Sequence, residues 1–112
     1  MKTPQALEAL ASLSQGTRLA IYRVLVQQGP GGLAAGAIAR RLNLPAATLS
    51  FHIKELAGAG MVKSRHEGRF IYYAADYDRM NGLIGYLTEN CCQGQVYTGE
   101  TSASARPRRK RA

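Results

Sequence analysis

Apolar residues recur along this chain in two spacings. Up to about residue 60, and again after residue 76, they return every three or four positions; from 61 to 74 they alternate or cluster. The first spacing predicts helices and the second a β-hairpin. The stretch from Ala37 to Val62, AIARRLNLPAATLSFHIKELAGAGMV, organises the rest. A short helix is expected from about Ala35 to Leu42, with Ile38 and Leu42 on one face. Asn43 tolerates the left-handed conformation that closes helices, Leu44 can pack inward, and Pro45 suits a first helical turn. The next helix runs to about Ala57. It places Leu49, Ile53 and Leu56 on one face and Ala47, Ser50, Phe51 and Lys54 on the other. About three residues separate the two helices, as in a helix-turn-helix. Gly58 and Gly60 end the second.

The flanking segments read as support and wing. Thr3 to Leu13 predicts a helix capped by Thr3, with Pro4 at its first position and Leu7, Leu10 and Leu13 on a weak apolar side. A second helix, from Gly16 or Thr17 to Gln27, is apolar on much of its girth and belongs at the centre. GPGG at 29–32 breaks it. Met61 to Arg65 alternates, His66 to Arg69 supplies a turn, and Phe70 to Ala74 is aromatic and β-branched, which together predict a hairpin. Asp76 is a candidate N-cap for a last helix over Tyr77 to Asn90. On it Met80, Leu83, Ile84 and Leu87 form a stripe, which reads as a dimer surface shared with the first helix, with packing in the same subunit as the alternative. Gly82 and Gly85 permit close helix approach. The fold class is mostly α with a β-hairpin wing (α+β): a winged helix-turn-helix domain over residues 1–92, acting as a homodimer.

Charge sharpens the picture. The 112 residues carry a net charge of +8. That favours an anionic partner, most simply double-stranded DNA. Residues 1–60 hold six Lys or Arg against two Glu, 61–92 four against four, and 93–112 five against one. The last segment, with Arg106, Arg108, Arg109, Lys110 and Arg111 and no apolar period, reads as a disordered basic tail, adding non-specific DNA affinity or merely solvated. Candidate DNA contacts in the helix-turn-helix are Thr48, Ser50, Phe51 and Lys54, with Arg40 and Arg41 turned to solvent or a charged partner. Phe51 has the alternative of leaning over the core edge. Lys63, Arg65, His66 and Arg69 gather at the wing, suited to phosphates or a minor groove. His52 flanks the packed face and is expected to be partly buried and hydrogen-bonded. Arg18 fits a phosphate or an acidic partner equally. The longest apolar runs fall short of a membrane span and no signal pattern opens the chain, so a cytoplasmic location is expected. No nucleophile–histidine pairing or phosphate-cradling glycine loop marks an enzyme.

Cys91 and Cys92 are the only cysteines, side by side where the last helix should end. Adjacent cysteines form a disulfide with each other only under strain. Paired thiols in a reducing compartment bind soft metals or answer oxidants. A helix C-terminus disfavours thiolates, so a ligand has to displace their protons. Zinc wants about four ligands, and residues 67–112 hold no histidine. A three-coordinate metalloid needs fewer.

Residues 5–94 resemble the arsenical-responsive ArsR-type winged-helix repressors. The resemblance is carried by LSQGTRLAIYRVL at 13–25, by the helix-turn-helix stretch, by EGRFIYY at 67–73 and by LTENCCQG at 87–94. It implies a homodimer joined by its first and last helices, repression of an operator controlling metalloid resistance genes, and release of DNA when an inducer binds Cys91 and Cys92. No prosthetic group is implied. Three departures bear on the inducer. Ala34 to Asn43 has no cysteine, the last helix has no histidine, and no third cysteine follows Cys92 through Ala112. Arsenite and antimonite thus meet an incomplete three-thiolate set, and a methylated trivalent arsenical needs only two. Rival readings are a redox-responsive repressor using the same thiols and a ligand-independent architectural DNA-binding protein.

Overall fold

The computed structural model describes residues 1–94; the basic tail from residue 95 onward, with its five cations, lies outside the described residues. The element order is α1 (Thr3–Leu13), α2 (Gly16–Gln28), β1 (Leu33–Ala34), α3 (Ala35–Leu42), α4 (Ala46–Gly58), β2 (Val62–Glu67), β3 (Phe70–Ala75) and α5 (Tyr77–Leu87), followed by a turn over Cys91–Gly94 in which Cys92 and Gln93 take positive φ.

Helices α1, α2 and α5 start where a neighbouring side chain accepts from a backbone N–H, and the observed starts of α1 and α4 correct two expectations. Lys2, not Thr3, is the N-cap of α1, because Gln5 reaches back and its Oε1 accepts from the Lys2 backbone N–H at 2.9 Å. The Thr3 hydroxyl is instead hydrogen-bonded to that of Tyr86 on α5. Pro45 is the N-cap of α4 rather than part of its first turn. Asn43 closes α3 in the left-handed conformation, φ 55° and ψ 51°, as its residue type predicts. Gly60 takes φ +79° just past α4 and turns the chain into β2.

The sheet has the order β1-β3-β2, antiparallel throughout. The hairpin pairs Val62 with Ala75 through Glu67 with Phe70, so only Gly68 and Arg69 form its turn. His66 and Glu67, expected in that turn, lie in β2 because the register extends to the Glu67–Phe70 pair. The third strand, β1, pairs Leu33 with Tyr73 and Ala34 with Tyr72. Gly32 precedes it at φ +77°, and a Cβ there would collide with the Tyr73 carbonyl oxygen. Only a glycine lets the two backbones approach so closely.

Ile21 and Leu25 of α2, Ile38 of α3, Leu56 of α4 and Met61 are the largest fully buried side chains. They place α2 at the centre, with the inner faces of the helix-turn-helix against it. The Tyr77 hydroxyl donates to the Val26 carbonyl at 2.8 Å and ties α5 to the end of α2.

Helix α5 stops at Leu87, three residues short of the expected Asn90. Asp76 caps its start, its carboxylate accepting from the Arg79 N–H at 3.0 Å. At the other end the Thr88 hydroxyl takes the Ile84 carbonyl at 2.8 Å and Asn90 adopts φ 56°. The apolar stripe divides: Leu83 is buried and Met80 half-buried in this subunit's core, while Ile84 and Leu87 are 52% and 59% exposed. Among the described residues no helix is long and apolar enough to cross a membrane.

Candidate nucleic-acid interface and thiol pair

Helix α4 is amphipathic in the expected sense. Leu49, Ile53 and Leu56 are buried, while Ala47, Ser50, Phe51 and Lys54 are exposed and Thr48 is half-buried. No side chain caps its N-terminus, so the polar hydroxyls of Thr48 and Ser50 follow an open first turn. The Phe51 ring is 58% exposed and does not lean onto the core; its one aromatic contact is edge-on to His52, 5.2 Å between centroids. His52 itself is buried, with Nδ1 3.4 Å from Arg18 Nη1. Arg18 thus pairs with no acidic residue among the described residues: its Nε donates to the Ser12 carbonyl at 2.7 Å, and the side chain is half-buried. Arg40 and Arg41 are exposed on the last turn of α3, where the helix dipole favours cations.

In the wing, Lys63, Arg65, His66 and Arg69 are all exposed. Alternation along β2 separates them, however: Lys63 and Arg65 share a face with Glu67, and His66 lies on the other. Arg65 is held from three sides. Its Nε pairs with Glu67 at 2.8 Å, its Nη1 donates to the Gly31 carbonyl at 2.9 Å, and its guanidinium lies 4.8 Å above the Tyr72 ring. Its place is therefore that of a brace between wing and the loop before β1, with an outer edge still open. Arg69, at the turn, has no such partners among the described residues.

The thiols lie beyond the helix, not at its last turn. Cys91 and Cys92 are both exposed, with their sulfurs 3.1 Å apart. The S–H···S contact with Cys91, then desolvation and the neighbouring thiol's charge, raise the Cys92 thiol above its ordinary range. Asn90, Cys92 and Gln93 have φ of 56°, 60° and 58°. Left-handed backbone costs a non-glycine residue about 1–2 kcal/mol, so this segment is held in a costly conformation.

A helix-turn-helix domain model matches residues 13–65. An uncharacterized HTH-type transcriptional regulator of Methanocaldococcus jannaschii is 32% identical over 88 residues, 79% of this chain and 97% of that protein. The structure of an ArsR-like transcriptional regulator from Rhodococcus sp. RHA1 superposes with a TM-score of 0.70 at 26% identity, over 81% of this chain and 83% of that one. The chain belongs to the ArsR family of winged helix-turn-helix transcriptional regulators. A homodimeric winged helix-turn-helix DNA-binding domain from Mycobacterium bovis is also similar, with a TM-score of 0.61 at 26% identity over 86% of this chain and 89% of that one.

As an ArsR-family member the protein is a DNA-binding transcriptional regulator and not an enzyme. Two features of this regulator escape the sequence patterns and a third does not. The Arg18–His52 contact joins residues 34 apart and has no periodic signal. Strand β1 is two residues long, too short to show alternation. The Arg65–Glu67 pair does have a signal, since residues two apart on a strand share a face.

Proposed function

We propose that this regulator is a homodimeric repressor that releases its operator when a trivalent arsenical or antimonite binds Cys91 and Cys92. The observation that carries the reading is the pair of exposed thiols with sulfurs 3.1 Å apart. One soft centre can bond both from solvent. The donor set suits low coordination: among the described residues no three His, Cys, Asp or Glu side chains cluster as metal ligands. A four-ligand zinc site therefore fits poorly, and a methylated trivalent arsenical, satisfied by two thiolates, fits best.

The chain's own residues supply the rest. A methylated arsenical bearing two hydroxyls would exchange two As–O bonds for two As–S bonds, and each thiol proton would leave with a hydroxyl as water. Ligation also fixes a segment already held in left-handed backbone, which favours a rearrangement of residues 88–93. Helix α5 carries that change to α1 through the Thr3–Tyr86 contact, and to the exit of α4, where the Asp76 N–H donates to the Met61 carbonyl at 2.8 Å. Exposed Leu7 and Leu10 of α1 and Ile84 and Leu87 of α5 form the dimer surface, in keeping with the homodimeric relative. Two α4 helices then enter successive major grooves roughly 34–36 Å apart. Thr48, Ser50, Phe51 and Lys54 read them, Arg40, Arg41, Lys63, Arg65, His66 and Arg69 serve the backbone and the flanking groove. A thousandfold loss of DNA affinity requires about 4 kcal/mol of coupling.

The test is operator release by arsenite, methylarsenite, antimonite, zinc and peroxide, in the wild type and in Cys91→Ser/Cys92→Ser. The reading expects release of the wild type by the arsenicals and continued binding by the double variant. Release of the double variant overturns the site. Release by peroxide alone replaces metalloid sensing with thiol oxidation at the same pair.

A further inference from the structure

The far end of the wing carries an aromatic ring that nothing in the fold uses. Phe70 opens β3 directly after the Gly68–Arg69 turn and is 57% exposed. Every other side chain from Lys63 to Arg69 is polar or glycine. Leaving a phenylalanine in water forgoes the stabilisation that burial would supply. Its cross-strand partner is Glu67, an acid that repels a polyanion. That charge is already neutralised, because Glu67 is the partner of Arg65 at 2.8 Å, the one ion pair among the described residues. The tip therefore presents a bare apolar ring next to the uncompensated cation of Arg69, with Lys63 further down the Phe70 face and His66 on the opposite one.

We propose that Phe70 is an apolar wedge that enters the minor groove beside the helix-turn-helix site and partly unstacks a flexible base step. The occupant is duplex DNA, because the ring extends a basic wing on a DNA-binding domain and its nearest free charge is positive. A two-residue hairpin tip suits a groove about 6 Å wide. Apolar side chains inserted there kink the duplex, most cheaply at pyrimidine–purine steps. Arg69 then holds a phosphate at the groove edge while the Arg65 brace fixes the angle at which the hairpin leaves the body. Phe70 thus reads deformability rather than base edges. This inference rests on the family's DNA binding and is independent of the thiol pair, since its test uses ligand-free protein.

A duplex selected from a randomised pool by the full-length wild-type protein serves as the probe, with dyes at its ends to report bending. Phe70→Ala and Phe70→Gln should straighten the bound duplex and weaken binding by about tenfold. They should also erase the preference for TA or CA steps under the wing. Phe70→Leu should keep the bend, since leucine also serves as a wedge. Arg69→Ala should keep the bend and reduce the slope of log affinity against log salt by about one. Because the ring is exposed, all four variants should melt with the wild type. A bend unchanged in Phe70→Ala or Phe70→Gln overturns the proposal. So does a loss that is equal on flexible and rigid steps, or a Phe70 variant that binds DNA normally and loses only a protein partner.

Discussion

The Nη1 of Arg18 lies 3.4 Å from the Nδ1 of His52, joining α2 to α4 from its inner side. A guanidinium only donates, so this ring nitrogen accepts. The same side chain holds the Ser12 carbonyl at 2.7 Å, so one residue ties α1, α2 and α4 together. Arg18→Ala should cost about 1–3 kcal/mol in urea unfolding, because a part-buried carbonyl and a buried ring lose their donor. Arg18→Lys should not restore it, since an ammonium lacks the fork that serves both partners. DNA affinity measured well below the unfolding midpoint should fall in both. An unchanged midpoint in Arg18→Ala removes the tie.

Tyr22 offers a test in alkali. Its hydroxyl is buried without a hydrogen-bond partner. Burial first, then the charges of Asp76 and Tyr77, push its pKa from 10.0 up to about 12. The folded state therefore keeps a proton that the unfolded chain gives up at lower pH. The stabilisation linked to this group is complete below pH 10 and is lost as pH rises through about 12. Tyr22→Phe should flatten that loss in unfolding curves taken from pH 8 to 12. At pH 7 it should be neutral or slightly stabilising, because it removes an unpaired polar atom.

Gly60 and Arg79 make a second contact between the exit of α4 and α5. A Cβ on Gly60 would stand 2.5 Å from both Nε and Nη2 of Arg79, and Gly60 has φ +79°. Gly60→Ala should destabilise by about 1–3 kcal/mol, part backbone strain and part collision. Adding Arg79→Ala should recover only the collision, so a double-mutant cycle should show a favourable coupling. Strict additivity places the two side by side without contact.

The α1–α5 surface makes a prediction about assembly. Ile84 and Leu87 are more than half exposed, so Ile84→Glu/Leu87→Glu should change monomer stability little. The pair should shift the sedimenting species from dimer to monomer and lower operator affinity, as half-site binding loses its partner. A variant that remains dimeric moves the interface elsewhere.

The helix-turn-helix was legible because its information is periodic and local. Ile38, Leu42, Leu49, Ile53 and Leu56 announce their faces, and Asn43 announces the turn by its tolerance of positive φ. The ends of elements were less so. The Tyr77–Asn90 pattern overran because Ile84 and Leu87 continue the spacing while the Thr88 hydroxyl bond and the left-handed backbone of Asn90 end the helix. Thr3 looked like a cap until Gln5 took that work from the other side. Contacts across long separations left no trace in the pattern. Arg65 reads as a free cation at the wing, and only the fold brings Gly31 and Tyr72 against it.

The pairing of Leu33 with Tyr73 closes the chain into a ring of residues that contains the whole helix-turn-helix and the wing. Within that ring α3 and α4 pack into one core with the hairpin, and their slowest amides should exchange as a single cooperative unit. Cys91 and Cys92 hang outside it. Replacing residues 88–93 leaves the ring's closure untouched, so the segment proposed to sense can be exchanged for another while the helix-turn-helix keeps its fold. If the proposed sensing holds, input and output are separable parts, divided where one two-residue strand finds its partner.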